Sequence, residues 1–334
     1  MKQECGRKSI YFALSHICLE ELTLGKLAVL FAGQGAQKTG MGKSLFDNVP
    51  AARALFERAE KVHPGILDMC FSAEQSELNQ TINTQPAVFT VDAAAYEALK
   101  SAGIRPGAAA GFSLGEYAAI TAAGVLPFEE TLRLVEKRAA WMQQASEEHE
   151  GAMAAVLGKT AQEVEQLAQQ FAGGGVLIPV NYNCPGQTVV AGDLSRIEAM
   201  MAYCKENKIK CMRLPVNGAF HSSHMAQAAK NILSEIEGAQ FGVPEFILYA
   251  NRTGMPYEEQ TMKQVMAEQT SSPVLFEQII RSMIGEGYDT FVEVGPGKTL
   301  TGFTGRIDKG VNTYYINDFE SFEAAVSGLK ELGF

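Results

Sequence analysis

A block of unbroken apolar residues, Leu27-Ala-Val-Leu-Phe31, ends at Gly33. Its length and lack of polar alternation suit a strand buried on both faces of a parallel sheet. Beyond it the pattern predicts helices at about 45–62 and 85–100, the second with Pro86 in its first turn and Gly103 just past its end. Ala108-Ala-Ala-Gly111 reads as another buried strand. An Ala-rich helix follows to about residue 123, and Pro127 opens a longer one to about 146.

After Gly151 the texture changes. Residues 152–157 predict a strand and 160–170 a helix. Residues 176–183 and 187–191 predict two strands, Asp193 caps a helix to about 207, and 211–216 predict a last strand. This βαββαβ order is that of ferredoxin-like modules. It interrupts a larger α/β pattern, which strand-like stretches at 245–250 and 290–294 resume. Residues 1–25 precede the first core strand and read as an N-terminal extension. The expected organisation is a large unit from 26–147 and 218–334 with a small ferredoxin-like unit inserted at 148–217.

Composition narrows the classes of function. A chain of 334 residues, 46% hydrophobic and 20% charged, has ample material for a buried core. A net charge of −10 argues against a nucleic-acid binder, which needs a basic face to neutralise phosphates. The densest basic stretch, Lys205, Lys208, Lys210 and Arg213, reads first as a solvated face. The six cysteines at 5, 18, 70, 184, 204 and 211 form no Cys-x-x-Cys, and no histidines stand beside them at zinc-ligand spacing. Free thiols in a reducing compartment are the simplest account. No apolar run approaches the ~20 residues that span a bilayer, and the stretch at 10–18 is interrupted by Ser15 and His16 and lacks a cleavage site. A cytoplasmic protein without membrane contact is expected.

The strongest chemical signal is Gly111-Phe-Ser113-Leu-Gly115, a G-x-S-x-G between a strand and a helix. A tight strand-to-helix turn needs small residues around the serine, projects its hydroxyl, and offers helix N-terminal N–H groups to developing negative charge. On the pentapeptide alone, a glycine-rich turn with a capping serine remains the alternative. A serine nucleophile needs a base. The five histidines are 16, 63, 149, 221 and 224, and local reasoning leaves the choice open. His221 and His224 fall where the insert returns to the large unit, a suitable rim for a cleft. Two near-matches to a phosphate loop, ending at Ser44 and Thr299, lack the first glycine, having Gln37 and Val292. Gly33-Gln-Gly35 has Lys38 where a dinucleotide fingerprint needs glycine.

Six motifs occur in order: Gly33-Gln-Gly-Ala-Gln37, the elbow to Tyr117, Val135-Glu-Lys-Arg138, Asn181-Tyr-Asn-Cys-Pro-Gly-Gln187, Ala219-Phe-His221 and Glu293-Val-Gly-Pro-Gly297. Together they resemble the malonyl-CoA:acyl-carrier-protein transacylase family of type II fatty-acid synthesis, to which polyketide-synthase acyltransferase domains are related. The resemblance spans about 27–318. It implies an α/β-hydrolase-like large domain, with Ser113 as nucleophile and His221 as base. It also implies that the Gln269 backbone carbonyl orients the histidine, and that the Gln34 and Leu114 N–H groups form an oxyanion hole. Arg138 would clamp the malonyl carboxylate, and Asn181 and Asn183 would line the site. Phe220 would mark malonyl selectivity. Malonyl-CoA and the phosphopantetheine arm of acyl carrier protein are the implied partners, with no metal or redox cofactor.

Physical reasons accompany these roles. Two N–H donors offset the charge of a tetrahedral oxyanion, and an arginine fork matches a carboxylate. Arginine on an apolar helix face is costly without an anion; an ion pair with Glu130 or another acid is the structural alternative. The chain departs from the family at Ala32, Phe112 and Ala219, where proline, histidine and proline are frequent. An acyl hydrolase on the same scaffold, a polyketide-pathway acyltransferase and a non-catalytic carrier-binding scaffold are the competing functions.

Overall fold

The computed structural model describes residues 25–334, so the extension expected at 1–25 lies outside the described residues but for Gly25. In chain order the strands are β1 (Lys26–Phe31), β2 (Ala108–Gly111), β3 (Gly151–Leu157), β4 (Leu177–Cys184), β5 (Gln187–Asp193), β6 (Lys210–Arg213), β7 (Ile247–Tyr249), β8 (Tyr288–Val294) and β9 (Asn312–Ile316). They form a parallel five-stranded sheet, β7-β2-β1-β8-β9, and an antiparallel four-stranded sheet, β4-β5-β3-β6.

The apolar block at β1 lies at the centre of the parallel sheet, where both faces are covered by helices, and Leu27 to Phe31 are buried. Phe31 pairs with Gly111 of β2 and with Val294 of β8. This register brings the Gly33 loop, the serine elbow and the Gly295-Pro-Gly297 loop to one carboxyl edge of the sheet, where open α/β sheets place their ligands.

In the antiparallel sheet the period of two is explicit. Ala152, Ala154 and Val156 of β3 face the helices Ala161–Ala172 and Leu194–Glu206, packing with Val164, Leu167, Ile197 and Met200. Met153 and Ala155 face the other way, onto Met142, Ala145, Phe220 and Met225. A second tie holds β4 to the segment ahead of the helix Phe276–Gly285: Tyr182 N–H donates to the Val274 carbonyl at 2.9 Å, and Val274 N–H to that of Val180 at 2.8 Å.

Several local expectations are corrected. The helix expected at 45–62 is two, Lys43–Asn48 and Pro50–Val62, because Pro50 forces Val49 into an extended conformation. The helix expected from 85 begins at Thr81, which puts Pro86 inside it. The helix is buried on nearly every side, so packing outweighs the lost hydrogen bond to Ile82, a residue on exposed surface. Asp193 occupies a helix N-cap position, but its carboxylate bonds no helix N–H. It accepts instead from Val176 N–H and Arg196 Nε, at 3.0 and 2.9 Å. β6 ends at Arg213 rather than 216, just ahead of Pro215. β9, a half-exposed edge strand, was not anticipated. Thr160 does start its helix, with a full capping box to Glu163.

Candidate active site

The elbow is made by close approach of main chain to main chain. A side chain at 111 would begin 1.8 Å from the Gly115 carbonyl carbon, and one at 115 would begin 2.2 Å from the Phe31 carbonyl oxygen. Glycine is therefore required at both positions. Between them Ser113 adopts φ 52°, the left-handed region, and opens the helix Gly115–Ala122. Phe112, one of the departures from the family, packs edge-on against Phe276, with centroids 5.6 Å apart.

Ser113 Oγ lies 2.8 Å from His221 Nε2. His221 is 3% exposed and also adopts a left-handed φ, 62°, held by its N–H to the Thr270 carbonyl at 3.0 Å. Its Nδ1 faces two carbonyl oxygens, Gln269 at 3.0 Å and Ser272 at 3.1 Å. Two acceptors require a proton on Nδ1, which leaves the Nε2 lone pair for the serine hydroxyl. Burial pushes the imidazole down to about 4, reinforced by the Arg138 charge and opposed by the two carbonyls. It is therefore neutral at neutral pH.

Arg138 projects from the helix Phe128–Glu148 and is 1% exposed. Its guanidinium donates to Gln85 Oε1 at 2.6 Å, Gln269 Oε1 at 3.2 Å and Ser113 Oγ at 3.3 Å, and lies over the Tyr117 ring at 5.1 Å. Its Nε has no partner, and no carboxylate forms a salt bridge with it among the described residues. Glu130 is exposed, so the ion-pair alternative does not hold. Burial lowers the guanidinium from its ordinary value.

The main-chain N–H groups of Gln34 and Leu114 have no acceptor among the described residues. A side chain at Gly33 would begin 2.4 Å from the Phe112 carbonyl, so the Gln34 loop runs against the elbow. Asn181 and Asn183 are buried in β4 with both Oδ1 atoms unpaired, and Asn181 bridges to Val274 on the segment that follows Gln269. Phe220 is buried between the antiparallel sheet and the helix Phe128–Glu148. The other described histidines lie elsewhere: His63 pairs with Glu136, His224 with Asp193 at 3.1 Å, and the His149 ring packs on His224.

Several site residues were not foreseen. Gln85 receives Arg138, and the Gln269 side chain joins Arg138 to the Ser113 carbonyl, with Nε2 at 2.5 Å from that oxygen. Asn251 bonds the elbow from beyond the end of β7. Glu116 is buried beneath it, bonded to the Tyr257 hydroxyl and to Asn251 N–H. Burial pushes this carboxyl up to about 7, against the opposing pull of Tyr257, Asn251, Gln269 and Arg138. The available signals were an acidic residue on an Ala-rich helix and an asparagine just past a strand's carboxyl end. Cys70, Cys184, Cys204 and Cys211 are free thiols. Among the described residues no three His, Cys, Asp or Glu side chains gather to hold a metal, and no helix is long and apolar enough to cross a membrane.

A neutral imidazole on a buried serine hydroxyl, at the carboxyl edge of a parallel sheet, defines a serine-dependent acyl-transfer class of protein. Residues 29–309 match the acyl transferase domain, and the chain belongs to that family. It is 38% identical over 312 residues to the malonyl CoA-acyl carrier protein transacylase of Bacillus subtilis, covering 92% of this chain and 98% of that one. The crystal structure of a malonyl CoA-acyl carrier protein transacylase from Clostridium perfringens is similar at a TM-score of 0.88, with 37% identity over 92% of this chain and 98% of that one. A complex of a type II polyketide-synthase acyl carrier protein with its malonyl-transacylase matches at 0.87, with 31% identity over 91% and 99%.

Proposed function

We propose that this protein transfers the malonyl group of malonyl-CoA to the phosphopantetheine thiol of acyl carrier protein in fatty-acid synthesis, through a malonyl-Ser113 ester. The observation that carries the reading is Arg138: a buried guanidinium whose hydrogen bonds among the described residues go to neutral groups, and whose fork lies 3.3 Å from the serine hydroxyl. Glu116 acts on it through space without bonding it, so the fork itself lacks a paired anion, which is costly for a buried cation; an anionic acyl group would supply that partner. Malonyl carries such a group at its free end; acetyl does not.

In this reading His221 Nε2 takes the proton of Ser113 Oγ as it attacks the thioester carbonyl. The oxyanion is received by the N–H groups of Gln34 and Leu114, both without an acceptor among the described residues. His221 then protonates the departing coenzyme A sulfur. The carrier thiol repeats the sequence in reverse: it loses its proton to His221, attacks the ester, and Ser113 leaves with that proton. Two carbonyls on Nδ1 do the orienting that a carboxylate does in Ser-His-Asp triads, without placing a third charge beside Arg138. The malonyl carboxylate offsets the Arg138 charge that depresses His221, so substrate binding raises the basicity of its own catalyst. Asn181 and Asn183, with unpaired Oδ1 atoms, and Phe220 line the acyl and pantetheine path in this account.

The same reading divides the chain into an α/β-hydrolase-like domain, 26–147 and 218–334, and a ferredoxin-like domain at 148–217. The strand order β4-β5-β3-β6 with its βαββαβ sequence supports the second, and the elbow at the end of β2 supports the first. A cytoplasmic setting accords with the free thiols.

The test is covalent labelling with radioactive malonyl-CoA. Label should appear on the wild type, be absent from a folded Ser113→Ala variant, and move to holo carrier protein on chase. Release into water at the same rate without carrier would instead identify a hydrolase. Stable label on Ser113→Ala would remove the serine from the mechanism.

A further inference from the structure

Ser113 stands between strand and helix at φ 52°, and it is buried. Its C=O accepts from Glu116 N–H at 3.2 Å in the turn that opens the helix, whereas its N–H has no main-chain acceptor among the described residues and needs another partner. Side-chain amides complete the set. Asn251 Oδ1 accepts from Ser113 N–H at 2.6 Å, while Asn251 Nδ2 donates to the Gly111 carbonyl at 2.6 Å. Gln269 Nε2 donates to the Ser113 carbonyl at 2.5 Å.

Asn251 is itself tightly held. It is fully buried, its N–H donates to Glu116 Oε2 at 2.7 Å, and its C=O accepts from Leu275 N–H at 2.9 Å. A planar carboxamide, with one donor and one acceptor at fixed separation, thus spans the elbow from its entry at Gly111 to its apex at Ser113. We propose that Asn251 is a positioning residue for acyl transfer: its carboxamide pins the Ser113 backbone in the left-handed conformation that aims Oγ at His221 Nε2. Without the pin, φ of Ser113 can relax to negative values, and Oγ turns away from a base that two carbonyls keep stationary. Displacement of a reacting atom by about 1 Å costs on the order of 10²-fold in rate. The Arg138 hydrogen bonds go to Gln85, Ser113 Oγ and Gln269 rather than to Asn251 or Gly111, so binding of the malonyl carboxylate should survive the loss.

This inference rests on the reading that Ser113 is the acylated residue, and the experiment separates the two. Single-turnover acylation by malonyl-CoA is measured for wild type, Asn251→Ala and Asn251→Asp. Malonyl-CoA affinity is measured for Ser113→Ala with and without Asn251→Ala. Asn251→Ala should acylate ~10²-fold more slowly, with affinity changed less than about threefold. Asn251→Asp keeps the acceptor for Ser113 N–H but turns a carboxylate oxygen toward the Gly111 carbonyl. The groups facing it are Glu116, the Tyr257 hydroxyl beyond that, and Arg138 on the far side of Ser113. Protonation restores a donor, so its rate relative to wild type at the same pH should rise as pH falls.

A wild-type rate in Asn251→Ala overturns the inference alone, as does a rate loss matched by equal loss of affinity. If Asn251→Ala does not fold, Asn251→Asp decides: a ratio independent of pH overturns the inference, and a rising ratio upholds it. Absence of label on the wild type overturns the acyl-transfer reading and this inference with it.

Discussion

Replacing Arg138 with alanine separates substrate selection from chemistry. The guanidinium is 1% exposed and its hydrogen bonds all go to neutral groups. A carboxylate arriving there meets a desolvated cation, and losing one partner of such a pair costs ~2–5 kcal/mol, on the order of 30- to 5,000-fold. Ser113, His221 and the two N–H donors do not require that contact. Arg138→Ala should therefore lose malonyl transfer by a factor in that range while keeping or gaining acetyl transfer. The assay is the ratio of kcat/KM for malonyl-CoA to that for acetyl-CoA, on protein with a cooperative thermal transition. A second readout comes from His221, which burial first and the Arg138 charge second push down to about 4. Without that charge, the pH at which acetyl transfer is half lost on acidification should move upward, toward the ordinary imidazole value of about 6.5. An equal fall for both acyl groups, with an unmoved pH profile, would refute the reasoning and make Arg138 a structural residue.

Two further outcomes follow from neighbouring groups. His221→Ala should slow acylation by at least ~10²-fold. His224→Ala should cost far less, because His224 Nε2 is engaged with Asp193 at 3.1 Å; reversed effects in stopped-flow acylation would exchange the two assignments. Glu116, pushed up to about 7 in the folded protein, keeps a proton that the unfolded chain releases at about 4.5. Its contribution to stability is full below 4.5 and is lost as pH rises through 7, about 3 kcal/mol in all. Glu116→Gln should abolish that loss, so the stability difference between variant and wild type should grow in the variant's favour between about pH 5 and pH 8. Parallel curves in urea denaturation would contradict it.

What the sequence determined by itself was whatever depends on neighbours in the chain. Gly111-x-Ser-x-Gly115 announces the elbow because the crowding that demands glycine arises within five residues and one adjacent strand. The βαββαβ order was legible because each element carries its own period and cap, as Thr160 and Glu163 do. The family resemblance, not the local pattern, singled out Ser113, His221, Arg138 and Gln269, and the structure brings the four within hydrogen-bond reach of one another. Only the tertiary structure decided the partners that come from distant segments. Asn251 reaches back 138 residues to Ser113, Gln269 reaches 131 to Arg138, and Gln85 meets Arg138 across 53. An amide side chain has no sequence signature for such a role, since its contacts are set by which helix, turn or strand end the fold brings beside it. The pKa of His221 and that of Glu116 were likewise unreadable in advance. They follow from burial and from a neighbouring charge, and both exist only once the parallel sheet has brought the loops at its carboxyl edge together.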